Sequence, residues 1–180
     1  SPGGTVKIAG TCAGVSGGQV VNIGKVLTLE GGYTVGNWTT SDPVANPTVL
    51  DALAGGRVIY ATQPVTVSNL TVQNGIAPGS GDGGGAWFGS TATVTGTTFF
   101  SNTAFLGGAA HFSTSAILIG ATFISNTASH QGGGVSFNTS STALLADTTF
   151  TGNSAGGNGG GAIFYGSAEL SGVTFVNNGA

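Results

Sequence analysis

Few residues of this 180-residue chain have the chemistry of an acid–base or metal-assisted catalyst. Hydrolysis of a glycosidic bond uses two carboxylates within about 10 Å of each other. A lyase mechanism needs carboxylates for Ca²⁺ together with a base that abstracts a proton. No Asp-Asp or Asp-x-Asp pair occurs, so the sequence predicts no catalytic residues and no enzyme activity. The acidic residues are Glu30, Asp42, Asp51, Asp82, Asp147 and Glu169.

The histidines and the glycine runs do not form a pattern that binds a metal or a cofactor. His111 falls in a column of residues predicted to face outward, and His130 falls in a predicted turn at 129–131. Neither has a cysteine or carboxylate at metal-ligand spacing. The glycine runs are not followed by the Gly-Lys-Ser/Thr of a phosphate-binding loop. We therefore expect no metal and no cofactor.

Composition restricts the class of protein further. Only 5% of the residues are charged, whereas 39% are hydrophobic and the mean hydropathy is +0.31, which excludes disorder driven by charge. Three basic residues cannot neutralise a phosphate backbone, so no nucleic-acid partner is expected. No apolar run approaches the ~18 residues of a membrane helix, so no membrane insertion is expected. What remains is one soluble, strand-rich domain.

Two markers repeat in one register through the C-terminal half. A Gly-Gly element begins at residues 83, 107, 132 and 159, and a Phe-x-x-Asn element begins at residues 99, 123, 150 and 175. A period near 25 residues, made of short strand-like runs joined by glycine turns, is typical of one coil of a β-solenoid. A turn is predicted where a Gly/Asp column interrupts the apolar alternation, at Gly96, Gly120, Asp147 and Gly172.

Stacking of equivalent residues in successive coils predicts a core and a polar ladder. Strands of neighbouring coils lie about 4.8 Å apart, so each side chain sits over its equivalent in the previous coil. The asparagine of each Phe-x-x-Asn should form an amide ladder that satisfies turn backbone groups. The core ladders are Phe88, Phe112, Phe137 and Phe164, and Phe99, Phe123, Phe150 and Phe175; the asparagine ladder is Asn102, Asn126, Asn153 and Asn178.

The N-terminal half follows the same plan with less regularity. We predict a single β-helix domain over 1–180, with irregular coils over 1–82 and four regular coils over 83–180. About seven coils of ~25 residues fit this length. Polar stretches at 36–47 and 76–82 are predicted loops. The predicted N-terminal strands are Thr5–Ile8, Val20–Ile23, Leu27–Glu30, Arg57–Tyr60, Val65–Val67 and Leu70–Gln73.

The paired markers resemble the GGAI and FxxN repeats of polymorphic outer-membrane proteins. The first motif is intact at 160–163 and varied as GGAW, GGAA and GGVS, and the second occurs as FFSN, FISN, FTGN and FVNN. The segments LTLEGGY (27–33), DPVANPTVLDA (42–52) and GRVIY (56–60) are similar to the lead-in region of large secreted bacterial β-helix proteins. The resemblance implies a right-handed, single-stranded parallel β-helix. It also implies a surface-displayed adhesin or passenger, located outside the cell or on its surface.

The outer surface and the two ends suggest contacts with other molecules. An apolar contact surface is predicted, although a loop or the N-terminal segment could equally cover it. The chain opens on Ser1 without methionine, so we expect an upstream segment to have been removed. No capping helix is visible at either end, which fits either a slice of a longer solenoid or end-to-end stacking. The predicted contact residues are Trp87, Phe100, Ile124, Ile163 and Val176.

Two functions remain open at this point. The first is a non-catalytic structural or adhesive solenoid that self-associates end to end or binds neighbouring surface proteins. The second is a β-helix that binds or cleaves polysaccharide, with Tyr33, Trp38, Tyr60 and Trp87 as sugar-stacking faces. Cys12, the single cysteine, is interpreted as a small half-buried residue or an intermolecular bridge. Glycosylation sequons begin at Asn37, Asn69 and Asn138.

Overall fold

The computed structural model describes residues 3–180 and shows a parallel β-solenoid without helices over that range. The predicted fold class is confirmed. Ser1 and Pro2, the first residues of the predicted domain, lie outside the described residues. Within residues 3–180 there is no helix of the length and apolarity that crossing a membrane requires.

Twenty-three short strands follow one another around the coils. In chain order they are β1 Gly4–Ala9, β2 Thr11–Ala13, β3 Gln19–Ile23, β4 Leu27–Tyr33, β5 Val49–Asp51, β6 Arg57–Ala61, β7 Val65–Ser68, β8 Thr71–Gln73, β9 Ala86–Phe88, β10 Ala92–Thr95, β11 Thr98–Phe100, β12 Thr103–Leu106, β13 Ala110–Phe112, β14 Ala116–Ile119, β15 Thr122–Ile124, β16 Thr127–Gln131, β17 Val135–Phe137, β18 Thr142–Ala146, β19 Thr149–Thr151, β20 Ser154–Ala155, β21 Ala162–Phe164, β22 Ser167–Ser171 and β23 Thr174–Val176.

These strands form four sheets, which we name S1 to S4. S1 has the order β1-β4-β7-β10-β14-β18-β22 and S2 has the order β2-β5-β8-β11-β15-β19-β23. S3 has the order β3-β6-β9-β13-β17-β21, and the small sheet S4 has the order β12-β16-β20. S1 and S2 contain seven strands and S3 contains six, so the described chain makes six complete coils and part of a seventh.

The strand register places equivalent repeat positions side by side. Ala92 pairs with Ala116, Phe99 pairs with Phe123, and Phe123 pairs in turn with Phe150. Alternate residues of each strand face the interior, where the apolar columns of S1, S2 and S3 form one continuous core. Burial of these columns is the main stabilising term of the fold.

The irregular N-terminal coils hold two strands that the sequence pattern did not predict. These are β2 and β5, which are three residues each and too short to show alternation. The six predicted N-terminal strands are present, with ends shifted by up to three residues. The predicted loops at 36–47 and 76–82 contain no named strand.

S4 was also not predicted, and it corrects the interpretation of His130. The sequence placed His130 in a turn, whereas the structure places it in β16. Its exposed imidazole stacks on the Phe105 ring with the centroids 5.0 Å apart. Only three of the described coils carry an S4 strand, so the pattern is too short to be recognised as a repeat.

Candidate functional site

The phenylalanine columns form two stacked ladders inside the solenoid. In S3, the centroid separations are 5.0 Å from Phe88 to Phe112, 4.5 Å from Phe112 to Phe137 and 5.2 Å from Phe137 to Phe164. In S2, consecutive rings from Phe99 to Phe175 are 5.1, 4.8 and 4.8 Å apart. Six of the eight rings are fully buried. The exceptions belong to the last described strands: Phe164 is half-buried and Phe175 is 48% exposed.

The asparagine column forms a buried amide ladder that joins consecutive coils. Asn126 Oδ1 accepts hydrogen bonds from the backbone N and from Nδ2 of Asn102, both at 3.0 Å. Asn126 Nδ2 in turn donates to the carbonyl of Phe99 and to Oδ1 of Asn153. The same pattern continues from Asn153 to Asn178. The ladder therefore satisfies backbone groups that turns would otherwise bury without partners.

Left-handed backbone conformations occur at two turn columns. Gly96, Gly120, Asp147 and Gly172 all have positive φ, as the Gly/Asp column predicted. Asn69 occupies the same column in an earlier coil with a φ of 58°, although its sequence context had not revealed it. A second column lies two residues after the core position of S2, which holds Val72 and then the ladder from Phe99 to Phe175. Its left-handed members are Asn74, Ser101, Ser125, Gly152 and Asn177.

Asp42, one of the six acidic residues, caps a turn. Asp42 Oδ1 accepts hydrogen bonds from the backbone N of Val44 and of Ala45, as expected for a turn-capping residue. No group of three or more His, Cys, Asp or Glu side chains within residues 3–180 is placed to hold a metal ion.

Asp51 is a buried structural carboxylate on β5. Burial alone would raise its pKa, but hydrogen bonds from Gln73, from the Leu53 backbone N and from Asn74 outweigh that effect and lower the pKa of Asp51. Gln73 Nε2 donates to Asp51 Oδ2 at 2.7 Å. Asp51 thus cross-links β5 to Gln73 on β8 and to Asn74, which follows β8. These contacts lie in the N-terminal coils, which have no phenylalanine ladder.

The five predicted contact residues lie on two different sheets and do not form one surface. Phe100, Ile124 and Val176 share a column on the outer face of S2, where Phe100 is 40% exposed. Trp87 and Ile163 lie on S3 and are half-buried. The prediction followed outward parity alone and could not assign the two columns to separate sheets.

A trough runs along the outer side of S1, parallel to the solenoid axis. It consists of two cavities of about 360 and 190 Å³ that share Thr91 and Thr93. Ile117 and Leu144 line its C-terminal part, and threonines line its N-terminal part. Ile119 adds a further exposed apolar side chain on the same outer face.

The outward column of S3 is partly covered, which corrects the prediction for His111. His111 is only 6% exposed, and its cross-strand neighbour Ser136 is 1% exposed. His111 Nδ1 and Ser136 Oγ are buried without a hydrogen-bond partner among the described residues. Burial lowers the pKa of His111; the carboxylate of Asp82 opposes this effect, and the guanidinium of Arg57 adds to it.

The four candidate sugar-stacking aromatics form two pairs that stack on each other. The Tyr60 and Trp87 rings are 4.9 Å apart and nearly parallel, and those of Tyr33 and Trp38 are 6.1 Å apart. Tyr33 also donates a hydrogen bond to Glu30, which raises the pKa of Tyr33. One face of each ring is therefore occupied by its partner ring.

Cys12 and the sequons differ in accessibility. Cys12 is exposed, which corrects the prediction of a half-buried residue, because it stands first in the column that continues through Leu50. Asn37 and Asn138 are exposed. Asn69 is half-buried, and its Nδ2 donates to Ser41 Oγ at 3.3 Å.

The first and last described strands of each large sheet have one unpaired edge. In S1 these are β1 and β22, and in S2 they are β2 and β23. Core columns reach the surface at the same places: Val6 is 46% exposed and Leu170 is 43% exposed.

No protein-family model, curated protein or solved structure matches this chain.

Proposed function

We propose that this protein is a non-catalytic structural or adhesive β-solenoid of an extracellular or cell-surface assembly, and that its copies stack end to end. The observation that carries the proposal is the pair of end faces. At each end of residues 3–180, strand edges that are unpaired within this range combine with core side chains that are close to half-exposed. Free edges of this kind are templates for pairing with another chain.

The strand registers define how such a joint would form. Leu170 and Val6 belong to one column of S1, and Phe175 and Cys12 belong to one column of S2. Adding β1 of a second copy to β22 would therefore place Val6 on Leu170. Adding its β2 to β23 would place Cys12 on Phe175. Each contact sets a small side chain against a larger one.

Charge supports the same orientation. Glu169 on β22 and Lys7 on β1 are both exposed, and they lie on the outer face in columns two residues apart. In the joint, Lys7 would stand beside Ser171 and diagonal to Glu169. The net charge of −3 over the chain also leaves little repulsion between copies.

In the proposed end-to-end joint, only S1 and S2 would continue from one copy into the next. S3 has one strand fewer than S1 and S2, so the joint leaves the width of one strand open beside β21. Head-to-tail contacts of this kind do not close on themselves and produce filaments. The pairing energy would come from S1 and S2.

The test is concentration-dependent assembly with charge reversal at the joint. We expect light scattering and electron microscopy to show filaments of the 180-residue chain at high concentration, and alkylation of Cys12 to slow as they form. Lys7→Glu and Glu169→Lys should each weaken assembly, and the double variant should restore it. Lys25→Glu controls for the change of charge alone, since Lys25 is exposed outside the edge strands, whereas Lys7 also donates to the Trp38 carbonyl and lies over the Tyr33 ring. Monomers at every concentration, with a constant alkylation rate, would contradict the proposal.

A further inference from the structure

The loop 76–83 lies against β13, the S3 strand that carries the buried His111. The loop 76–83 is held by Arg57, whose Nε donates to the Gly83 carbonyl at 2.9 Å and whose Nη2 donates to the Asp82 carbonyl at 2.8 Å. Asp82 Oδ1 accepts a hydrogen bond from the Leu106 backbone N, and Gly83 N donates to the Leu106 carbonyl. The loop is therefore pinned by one cation and by the strand β12.

His111 lies on β13, next to this loop. It pairs across the sheet with Trp87 on β9 and with Ser136 on β17. A Cβ built on Gly83 would stand 3.1 Å from the His111 backbone N, so the loop lies in close contact with β13. The imidazole is 6% exposed, and its Nδ1 has no hydrogen-bond partner within residues 3–180.

We propose that His111 senses acid, and that its protonation releases the loop 76–83 from the face of S3. An imidazolium has two N–H donors, whereas Nδ1 here faces no acceptor from the described part of the chain. A buried charge without a hydrogen-bonding partner is costly, and the nearby guanidinium of Arg57 adds repulsion. The imidazolium can gain solvation when the loop 76–83 moves away from β13.

The sign of the pH dependence follows from the charged groups around His111. On β6 these are Arg57 and the ionisable Tyr60, and on the loop the group is Asp82; β9, β12, β13 and β17 contribute no other charged side chain. Burial lowers the pKa of His111 in the closed state, so the closed form has its full advantage above the ordinary histidine pKa of about 6.5. That advantage is lost as the pH falls below this value. Asp82 moderates the loss because its carboxylate attracts the imidazolium.

Trp87 provides the reporter, because it stacks on Tyr60 and neighbours His111. In a Trp38→Phe background, we expect Trp87 emission to change between about pH 7.5 and 4.5 with a midpoint below about 6.5. The change should disappear in His111→Gln and persist in His130→Gln, the matched variant at an exposed histidine. Asp82→Asn should move the midpoint to higher pH, since the closed form then lacks the carboxylate that attracts the imidazolium and loses its advantage earlier on acidification.

Circular dichroism over the same range separates release of the loop from unfolding. We expect the β-sheet signal to stay constant through the emission change. Persistence of the change in His111→Gln, its loss in His130→Gln, or a simultaneous loss of the β-sheet signal would each overturn the proposal. Constant Trp87 emission over the whole range would do the same.

Discussion

At the scale of single residues, the polar interior of this solenoid depends on complete hydrogen-bonding patterns. Asn126 is fully buried, and its carboxamide is used on both the donor and the acceptor side. No other side chain of similar size offers two donors and an acceptor in one plane. The column is therefore restricted to asparagine by hydrogen-bond geometry as well as by turn preference.

Replacing Asn126 with Ala should destabilise the protein by about 2 to 4 kcal/mol. The change leaves the Asn102 backbone N and the Phe99 carbonyl buried without the partners they now have. Asn178→Ala is the control, because Asn178 is only half-buried and water can replace part of its bonding. Urea unfolding of both variants measures the difference. Equal losses would contradict the ladder as a source of stability.

At the scale of elements, glycines permit close approach between neighbouring coils. Gly133 lies between coils where a Cβ would stand 2.3 Å from the carbonyl oxygens of both Gly160 and Ser154. These oxygens belong to the backbone of the next coil, which cannot move without disturbing the strand pairing. The second glycine of each Gly-Gly marker is thus a packing requirement.

Gly133→Ala should cost about 2 kcal/mol or more, since the added methyl group overpacks a close backbone contact. Gly36→Ala is the matched change, because a methyl group added at Gly36 would meet no atom within 4 Å and the residue has no positive φ. It should shift stability by no more than about 0.5 kcal/mol. Thermal unfolding of the two variants in parallel is the measurement. A similar melting temperature for both would show that the coils can separate freely at Gly133.

The strand pattern of the regular coils could be predicted because each position recurs four times. Phe99 and Asn102 identify an inward column and a turn together, and their equivalents in the next coils fix the register. β2 and β5 were not found, since three residues show little alternation and neither segment resembles the later repeats, whereas the equally short β8 was predicted within Leu70–Gln73. The burial of His111 could not be predicted, because the neighbouring loop 76–83 and Arg57 lie about one and two coils earlier in the chain.

At the scale of the whole molecule, stability should differ between central and terminal coils. Each coil contacts mainly its two neighbours, so an interior coil is supported on both sides. Phe123 has stacked rings above and below it, whereas Phe175 has one described neighbour in its ladder. The same side chain therefore contributes differently according to its coil.

Phe123→Leu should cost about 1 to 2 kcal/mol, because it loses packing and two ring contacts. Phe175→Leu should cost clearly less in dilute solution, since Phe175 is 48% exposed. Urea unfolding at low protein concentration compares the two variants. A larger loss for Phe175→Leu than for Phe123→Leu would contradict this layered account of stability.

The spacing of the strand pairs also bears on how the chain folds during synthesis. Ala92 pairs with Ala116 and Ala116 pairs with Ala143, so each contact closes a loop of about one coil. Closing such a loop costs little more for each added residue. A nascent chain can therefore complete one coil on the previous one as it leaves the ribosome. The largest sequence separation between paired strands occurs in the coil that contains the loop 36–47, as between Leu27 and its partner Val65. Pairing of this coil is delayed most, because the loop must emerge first.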